Sequence, residues 1–327
     1  QLAHDQQATG RPGPVVIDVP KDTTDPSVLA EYAYPTSVKM RSYNPAGKGN
    51  GRQIRKAVSA LLKAKRPVLY VGGGVIMGEA CDSLREVAGL LGYPLTNTLM
   101  GLGAFPGADP QCIGMLGMHG TYQANMAMHE ADLICAIGAR FDDRVTNNPD
   151  KFSPNATIIH IDVDPASISK IIEADIPIVG SAGQVLAGMV AEITKELASE
   201  SAEVKEKRSQ RIDKWWTIVN TWRDSHGLNH DLEPQPGQRI LPQLAMQAMY
   251  KITKGDAFVT SDVGQHQMFA AQYYHFPEPR RWINSGGLGT MGFGLPAAMG
   301  VQMGFPDATV VCVTGEGSFM MNMQELS

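Results

Sequence analysis

From Arg52 onward the apolar positions alternate between two rhythms. QIRKAVSALLKAK (53–65) places them three and four residues apart, which predicts an amphipathic helix. RPVLYVGGG (66–74) is an unbroken apolar run into glycines, a buried strand ending in a turn. EACDSLREVAGLLG (79–92) returns to the helical spacing. ADLICAIGAR (131–140) and ATIIHIDVD (156–164) are further strands. Runs of this kind suit parallel strands buried on both faces, because half-exposed antiparallel strands alternate instead. IPIVGSAGQVLAGMVAEITKEL (176–197) adds another strand, turn and helix.

The rhythm breaks between Leu197 and Gln238. That stretch is charged, carries Trp215, Trp216 and Trp222 at helical spacing, and ends in Glu233-Pro-Gln-Pro-Gly237. Its tryptophans predict a helix packed on its neighbours. A second series follows: helix (241–252), strand (256–262), helix (265–274), strand (280–285), helix (295–305) and strand (309–315). Upstream of it all, Pro14-Val-Val-Ile-Asp-Val-Pro20 predicts an apolar strand, and a polar stretch from Asp25 follows as a linker. The expected fold is α/β, with doubly wound parallel-sheet domains. Residues 1–24 are expected to be the tail of one domain, 25–50 a linker, 51–196 a central domain, 197–238 a helical linker and 239–327 the first part of a third domain.

Hydrophobic content of 43% and charged content of 19% describe a globular chain with ample core. A net charge of −5 argues against nucleic acid as partner, since phosphate binding needs a basic face. No apolar run is long enough to span a bilayer, so no membrane role is expected. Cys81, Cys112, Cys135 and Cys312 lack CxxC spacing and read as reduced thiols in a cytoplasmic protein. The chain opens at Gln1 without Met, which suggests an internal piece of a longer protein.

In open parallel sheets ligands sit at the carboxyl ends of strands. Gly72, Gly74 and Gly78 fall one residue off G-x-G-x-x-G, leaving tight packing and phosphate contact equally open. His160-Ile-Asp-Val-Asp164 ends a strand with two carboxylates, suited to ribose hydroxyls, while Asp164-Pro165 also makes a helix start. Ala139-Arg-Phe-Asp-Asp-Arg144 sets two cations and two acids directly behind a strand, which favours a site over a solvated loop. Ser261–His266 opens a helix after a strand and can meet an anion. Asn284–Gly294 holds five glycines within eleven residues, which implies close backbone approach to a ligand. Gly315-Glu-Gly-Ser318 puts a carboxylate on a glycine turn, the way a Mg²⁺ site is assembled with ligand phosphates. Generic turns of the fold are the alternative, and three such turns on successive strands weigh against it.

These strings, together with GRPGPVVIDVPKD, MRSYNP, TLMGLGAFP, MLGMHGTYQAN and RWINSGGLGTMGFGLPAA, resemble the large catalytic subunit of the acetohydroxyacid synthase (acetolactate synthase) family, bacterial type. The resemblance runs in order through nearly the whole chain. It implies thiamine diphosphate, Mg²⁺ and FAD as cofactors. The reaction implied is a decarboxylating condensation of pyruvate with pyruvate or 2-ketobutyrate, in branched-chain amino-acid synthesis. It also implies a homodimer or tetramer with a small regulatory subunit.

By the same resemblance Arg11, Gly72, Gly73, Thr98, Leu99, Gly117, Met118, His119, Arg140, Asp142, Arg144, Asp162 and Val163 contact FAD. Lys21 and Arg144 line the substrate channel. Val263, Gly264, Gln265, His266, Gly289, Met291, Gly317 and Ser318 contact thiamine diphosphate, and Glu316 ligates the metal. The family carries Asp where this chain has Glu316, so weaker metal binding is expected. The family's catalytic glutamate and its metal-ligating asparagine have no counterpart among these residues, and Asn322 falls in the next helix. This chain alone is therefore expected to be inactive. The rival readings are another thiamine diphosphate enzyme, of pyruvate oxidase or glyoxylate carboligase type, and a non-catalytic FAD-binding module.

Overall fold

The computed structural model describes residues 9–27, 31, 45, 47–228, 237 and 239–327. Most of the expected linker (25–50), all of the MRSYNP string but Pro45, and most of Glu233–Gly237 lie outside the described residues.

The central unit is built on a six-stranded parallel sheet. Its strands are β1 (Pro67–Val71), β2 (Leu95–Asn97), β3 (Cys112–Met115), β4 (Leu133–Ile137), β5 (Thr157–Asp162) and β6 (Ile176–Val179), in the order β3-β2-β1-β4-β5-β6. That is the doubly wound dinucleotide-binding order, whose ligand crevice opens between β1 and β4. Val71 pairs with Asn97 on one side and with Ile137 on the other, so three strand ends meet at one edge.

Alternate strand residues feed two cores. Leu69, Val71, Cys135 and Ile159 pack with the helices Gly51–Lys63, Cys81–Leu91 and Ala182–Ser199 on one face. Val68, Tyr70, Ile134 and Ile158 pack with the helices Tyr122–Glu130 and Ala202–His226 on the other. β1 and β4 are buried at every position, which explains their continuous apolar runs.

The tryptophans pack as expected. Trp215 is 1% exposed and donates from Nε1 to Pro67 O at 3.0 Å; Trp216 donates to Gly92 O at 2.8 Å. The Ala202–His226 helix therefore lies along the central sheet and closes one of its faces.

The third unit carries β7 (Phe258–Ser261), β8 (Trp282–Asn284) and β9 (Val310–Val313), parallel, in the order β8-β7-β9. The helices Pro242–Thr253, Gln265–Tyr273 and Gly294–Gly304 flank it. Met115, at the end of β3, packs into this unit's core beside Ala270, Ala271 and Trp282. All four cysteines are free. No helix among the described residues is long and apolar enough to cross a membrane.

Two expectations need correcting. Pro14–Pro20 forms no strand: Val16 and Ile17 are 92% and 68% exposed, and none of the described strands pairs with them. Without a neighbour to exchange N–H and C=O groups, a β-prone run stays extended and solvated. Asp164-Pro165 does not start a helix either. Asp164 caps a turn, accepting from Ala166 N at 2.9 Å, and Ser169 at φ +57° stops helical propagation.

Candidate cofactor sites

At the switch point of the central sheet the glycines are set by backbone against backbone. A Cβ on Gly72 would lie 2.2 Å from Gly138 O, and one on Gly74 would lie 2.7 Å from Gly138 Cα. Packing thus explains Gly72 and Gly74. Gly73 faces elsewhere, toward Met100 at 3.1 Å. Thr98 and Leu99 enter a short 3-10 turn (Leu99–Gly101) that bonds back through Thr98 N to Val71 O at 2.8 Å. Gly72, Gly73, Thr98 and Leu99 are therefore brought together at the end of β1.

The loop after β3 meets the loop after β4. Met118 N donates to Arg144 O at 2.8 Å, and Gly117 is clasped by Asn125 through two hydrogen bonds of 2.8 and 2.9 Å. A Cβ on Gly117 would strike Arg144 O at 2.6 Å, and its φ of +97° also requires glycine. Arg140 pairs with Asp142, whose Oδ1 caps Arg144 N at 3.1 Å. The backbone hydrogen bond to Arg144 and the paired Arg140 hold the Asp142 carboxyl below the usual range, against its partial burial.

Phe141 is the residue that sequence reasoning missed. It is 1% exposed at φ +54°, unusual for a bulky side chain, and packs edge-on against Tyr70, Phe152 and His160. Burying Phe141 leaves its neighbour Arg140 exposed. Only the alternation of one buried ring among four charges hinted at this.

His160 is fully buried. Its Nε2 lies 2.9 Å from Ala139 O, and burial lowers its pKa below 6.5. Asp162, at the end of β5, has its carboxyl raised by burial; its Oδ1 accepts from Asp164 N at 2.8 Å, and Arg11 lies within electrostatic reach. Val163 follows in the bend after β5. Lys21 sits exposed on a 3-10 turn (Lys21–Thr24).

In the third unit the expected residues converge. The His266 ring is wedged between two turns: its Cε1 would be 2.8 Å from a Cβ on Gly264 and 3.1 Å from one on Gly315. Its Nε2 is buried with no hydrogen-bond partner. Gly264 caps the Gln265–Tyr273 helix, so Gln265 and His266 form its first turn. Val263 lies about a van der Waals contact (3.9 Å) from a Cβ on Gly289, and Met291 Cε lies 3.4 Å from one on Gly317. The glycine loop is closed by Ser285, whose O accepts from Gly289 N at 2.6 Å and whose Oγ accepts from Thr290 N at 3.2 Å. Leu288 at its tip is 90% exposed.

Glu316 is the exposed first residue of the Glu316–Asn322 helix, and Ser318 is buried two residues on. Asn322 ends that helix, and its Nδ2 donates to Gly292 O, on the glycine loop.

These residues fit the implied cofactors. The partnerless His266 Nε2 between glycine turns at the ends of β7 and β9 suits an anionic oxygen. The β1–β4 crevice, with its close-packed glycines and the Asp162 carboxylate at a strand end, suits a dinucleotide. No cluster of three or more metal-ligating side chains occurs among the described residues. One carboxylate, Glu316, exposed at the start of a helix after the Gly315 turn, is of the kind that holds a Mg²⁺ ion completed by ligand oxygens and water.

Residues 54–189 match the thiamine pyrophosphate enzyme central domain, and residues 262–327 match the C-terminal TPP-binding domain of the same enzymes. The chain is 55% identical over 320 residues to acetolactate synthase isozyme 3 large subunit of Escherichia coli, covering 98% of this chain and 54% of that protein. It is 53% identical to the acetolactate synthase large subunit of Haemophilus influenzae over 98% of this chain and 54% of that protein. The identity is 42% to the Mycobacterium tuberculosis large subunit, over 98% of this chain and 50% of that protein. The chain spans about half the length of the curated relatives it matches. Similarity that runs through both domains, with the expected turns folded together, leads to one conclusion: the chain belongs to the thiamine pyrophosphate enzymes, in the acetolactate synthase large-subunit family.

Proposed function

We propose that the protein containing this chain is an acetolactate synthase. It condenses pyruvate with a second pyruvate or with 2-ketobutyrate, releasing CO₂, in branched-chain amino-acid synthesis. The reading is carried by 55% identity to such a large subunit along 98% of the chain. Thiamine diphosphate, when bound, supplies the electron sink for decarboxylation and carbon–carbon bond formation.

The protein's own residues hold and orient. Val263, Gly264, Gln265, His266, Gly289, Gly317 and Ser318 bind that cofactor, with His266 Nε2 offered to a diphosphate oxygen. Met291, directed at Gly317, props the cofactor's shape; a thioether is compliant enough for this. Glu316 ligates Mg²⁺. Arg11, Gly72, Gly73, Thr98, Leu99, Gly117, Met118, His119, Arg140, Asp142, Arg144, Asp162 and Val163 hold FAD, which serves no net redox step. Arg144 and Lys21 present cations to the carboxylate of the second keto acid. The protein works in the cytoplasm as a homodimer or tetramer with a small regulatory subunit.

The test is product analysis of the protein as encoded, given pyruvate plus 2-ketobutyrate. Acetolactate and acetohydroxybutyrate are expected. Oxidative decarboxylation with oxygen uptake, or condensation with glyoxylate alone, would replace this reading by the pyruvate oxidase or glyoxylate carboligase type.

A further inference from the structure

Among the described residues, several polar contacts cross between the central and third units. Gly107 N donates to Phe276 O at 3.0 Å, Arg85 pairs with Glu278 at 3.6 Å, and Arg280 pairs with Glu79 at 3.6 Å. None of these ends on a cofactor loop. One further contact does: Gln272 Nε2 donates to His119 O at 2.7 Å.

Gln272 lies on the Gln265–Tyr273 helix, whose first turn carries Gln265 and His266. Gln272 comes six positions after His266, about 9 Å along the helix, a span too short and too stiff to bend much. The same helix is seated on the central unit through Ala270 and Ala271, which share a core with Met115. Met115 ends β3, and the chain runs directly from it to Gly117, Met118 and His119. The helix thus touches the central unit twice in succession, first on the end of β3 and then on the loop that leaves it.

We propose that Gln272 is a positioning residue through which flavin binding and thiamine diphosphate binding reinforce each other. The proposal rests on the cofactor assignment given under Proposed function. A ligand that fixes His266 fixes the helix, and so holds the Gln272 amide against the His119 carbonyl. A ligand that orders Met118 and His119 presents that carbonyl in place and steadies the helix in turn. Coupling of this kind is reciprocal by thermodynamic necessity.

The experiment titrates FAD into the protein as encoded, followed by flavin fluorescence, with and without thiamine diphosphate and Mg²⁺. The reverse titration follows thiamine diphosphate with and without FAD. FAD is expected to bind about fivefold tighter in the presence of thiamine diphosphate, with the same factor in the reverse direction. Gln272→Met, which keeps the length and loses the donor, brings that ratio close to one and leaves each cofactor alone binding within about twofold of its original strength. Gln272→Lys, which keeps a donor, retains the ratio. Equal ratios in the original protein and in Gln272→Met, or no coupling in the original, would overturn the proposal while both cofactors still bind. Failure of FAD to bind at all would overturn the assignment and the coupling with it.

Discussion

Thr314 Oγ1 lies 2.6 Å from Asp262 Oδ2, joining the ends of the adjacent strands β7 and β9 directly beneath the glycine turns. The other oxygen of Asp262 accepts from Gly294 N at 3.0 Å, at the first residue of the Gly294–Gly304 helix. Asp262 is fully buried, so both of its carboxyl oxygens need these partners. Asp262→Ala should cost about 3 kcal/mol, because two buried hydrogen bonds vanish and Gly294 N is left unpaired. Asp262→Asn should cost about 1 kcal/mol, since its amide group can still donate to the Thr314 hydroxyl. Denaturant melts of the two variants measure both numbers, and equal losses would contradict the bonding scheme.

The glycines at the strand ends should differ sharply in tolerance. Gly72→Ala forces a Cβ to within 2.2 Å of the Gly138 carbonyl oxygen, a backbone atom that cannot rotate away. A loss of about 3 kcal/mol or more and weaker flavin retention are expected. Gly287→Ala meets nothing within 4 Å and should change stability by less than about 0.5 kcal/mol. Thermal melts with absorbance of bound flavin would show the contrast.

Acid should act through His160. Burial lowers its folded pKa below the ordinary 6.5, so the unfolded chain takes up a proton there first. The stability this residue contributes is complete above 6.5 and falls as pH drops toward the folded value. The cause is concrete: protonation puts a hydrogen on Nδ1, which is buried without a partner. His160→Gln should flatten the pH dependence of unfolding free energy below 6.5, whatever it does to absolute stability. Asp162 works in the opposite direction. Burial raises its carboxyl, so its contribution is present below 3.8 and is lost as pH rises through its folded value. Chemical denaturation across a pH series tests both slopes.

Glu316 carries its carboxylate one carbon–carbon bond, roughly 1.5 Å, farther from the backbone than an aspartate would. Mg²⁺ accepts little departure from octahedral geometry at about 2.0–2.1 Å. Glu316→Asp is therefore expected to lower the Mg²⁺ concentration that supports thiamine diphosphate binding. Titration of Mg²⁺ against the protein as encoded, with either residue at 316, reads the difference. Identical curves would show that the longer side chain reaches its ion without penalty.

Much of the fold was legible in the chain. The runs LICAI and TIIHID became β4 and β5 with most positions buried, and QIRKAVSALLK became a helix with Ile54, Ala57, Val58 and Leu61 inward. What escaped were short or interrupted elements. β2 is the three residues Leu95–Asn97, and β3 is broken by Gly114 at φ +92°. Neither run is long enough for a period to declare itself. Pro14–Pro20 misled in the other direction, because its strand-like composition says nothing about a neighbour to pair with.

The candidate sites divide in the same way. Glycine, acid and histidine types at strand ends belong to the sequence, since a strand's apolar run and its terminating turn are local features. The chain by itself determined two α/β units, their order, and the loops that could approach a phosphate. Only the tertiary structure decided which loops meet. It set Gly72 against Gly138, Met118 against Arg144, the His266 ring between Gly264 and Gly315, and Gln272 on the His119 carbonyl. The physical reason is distance along the chain. Gln272 and His119 are 153 residues apart, and no local propensity encodes a contact that exists only once two sheets have packed.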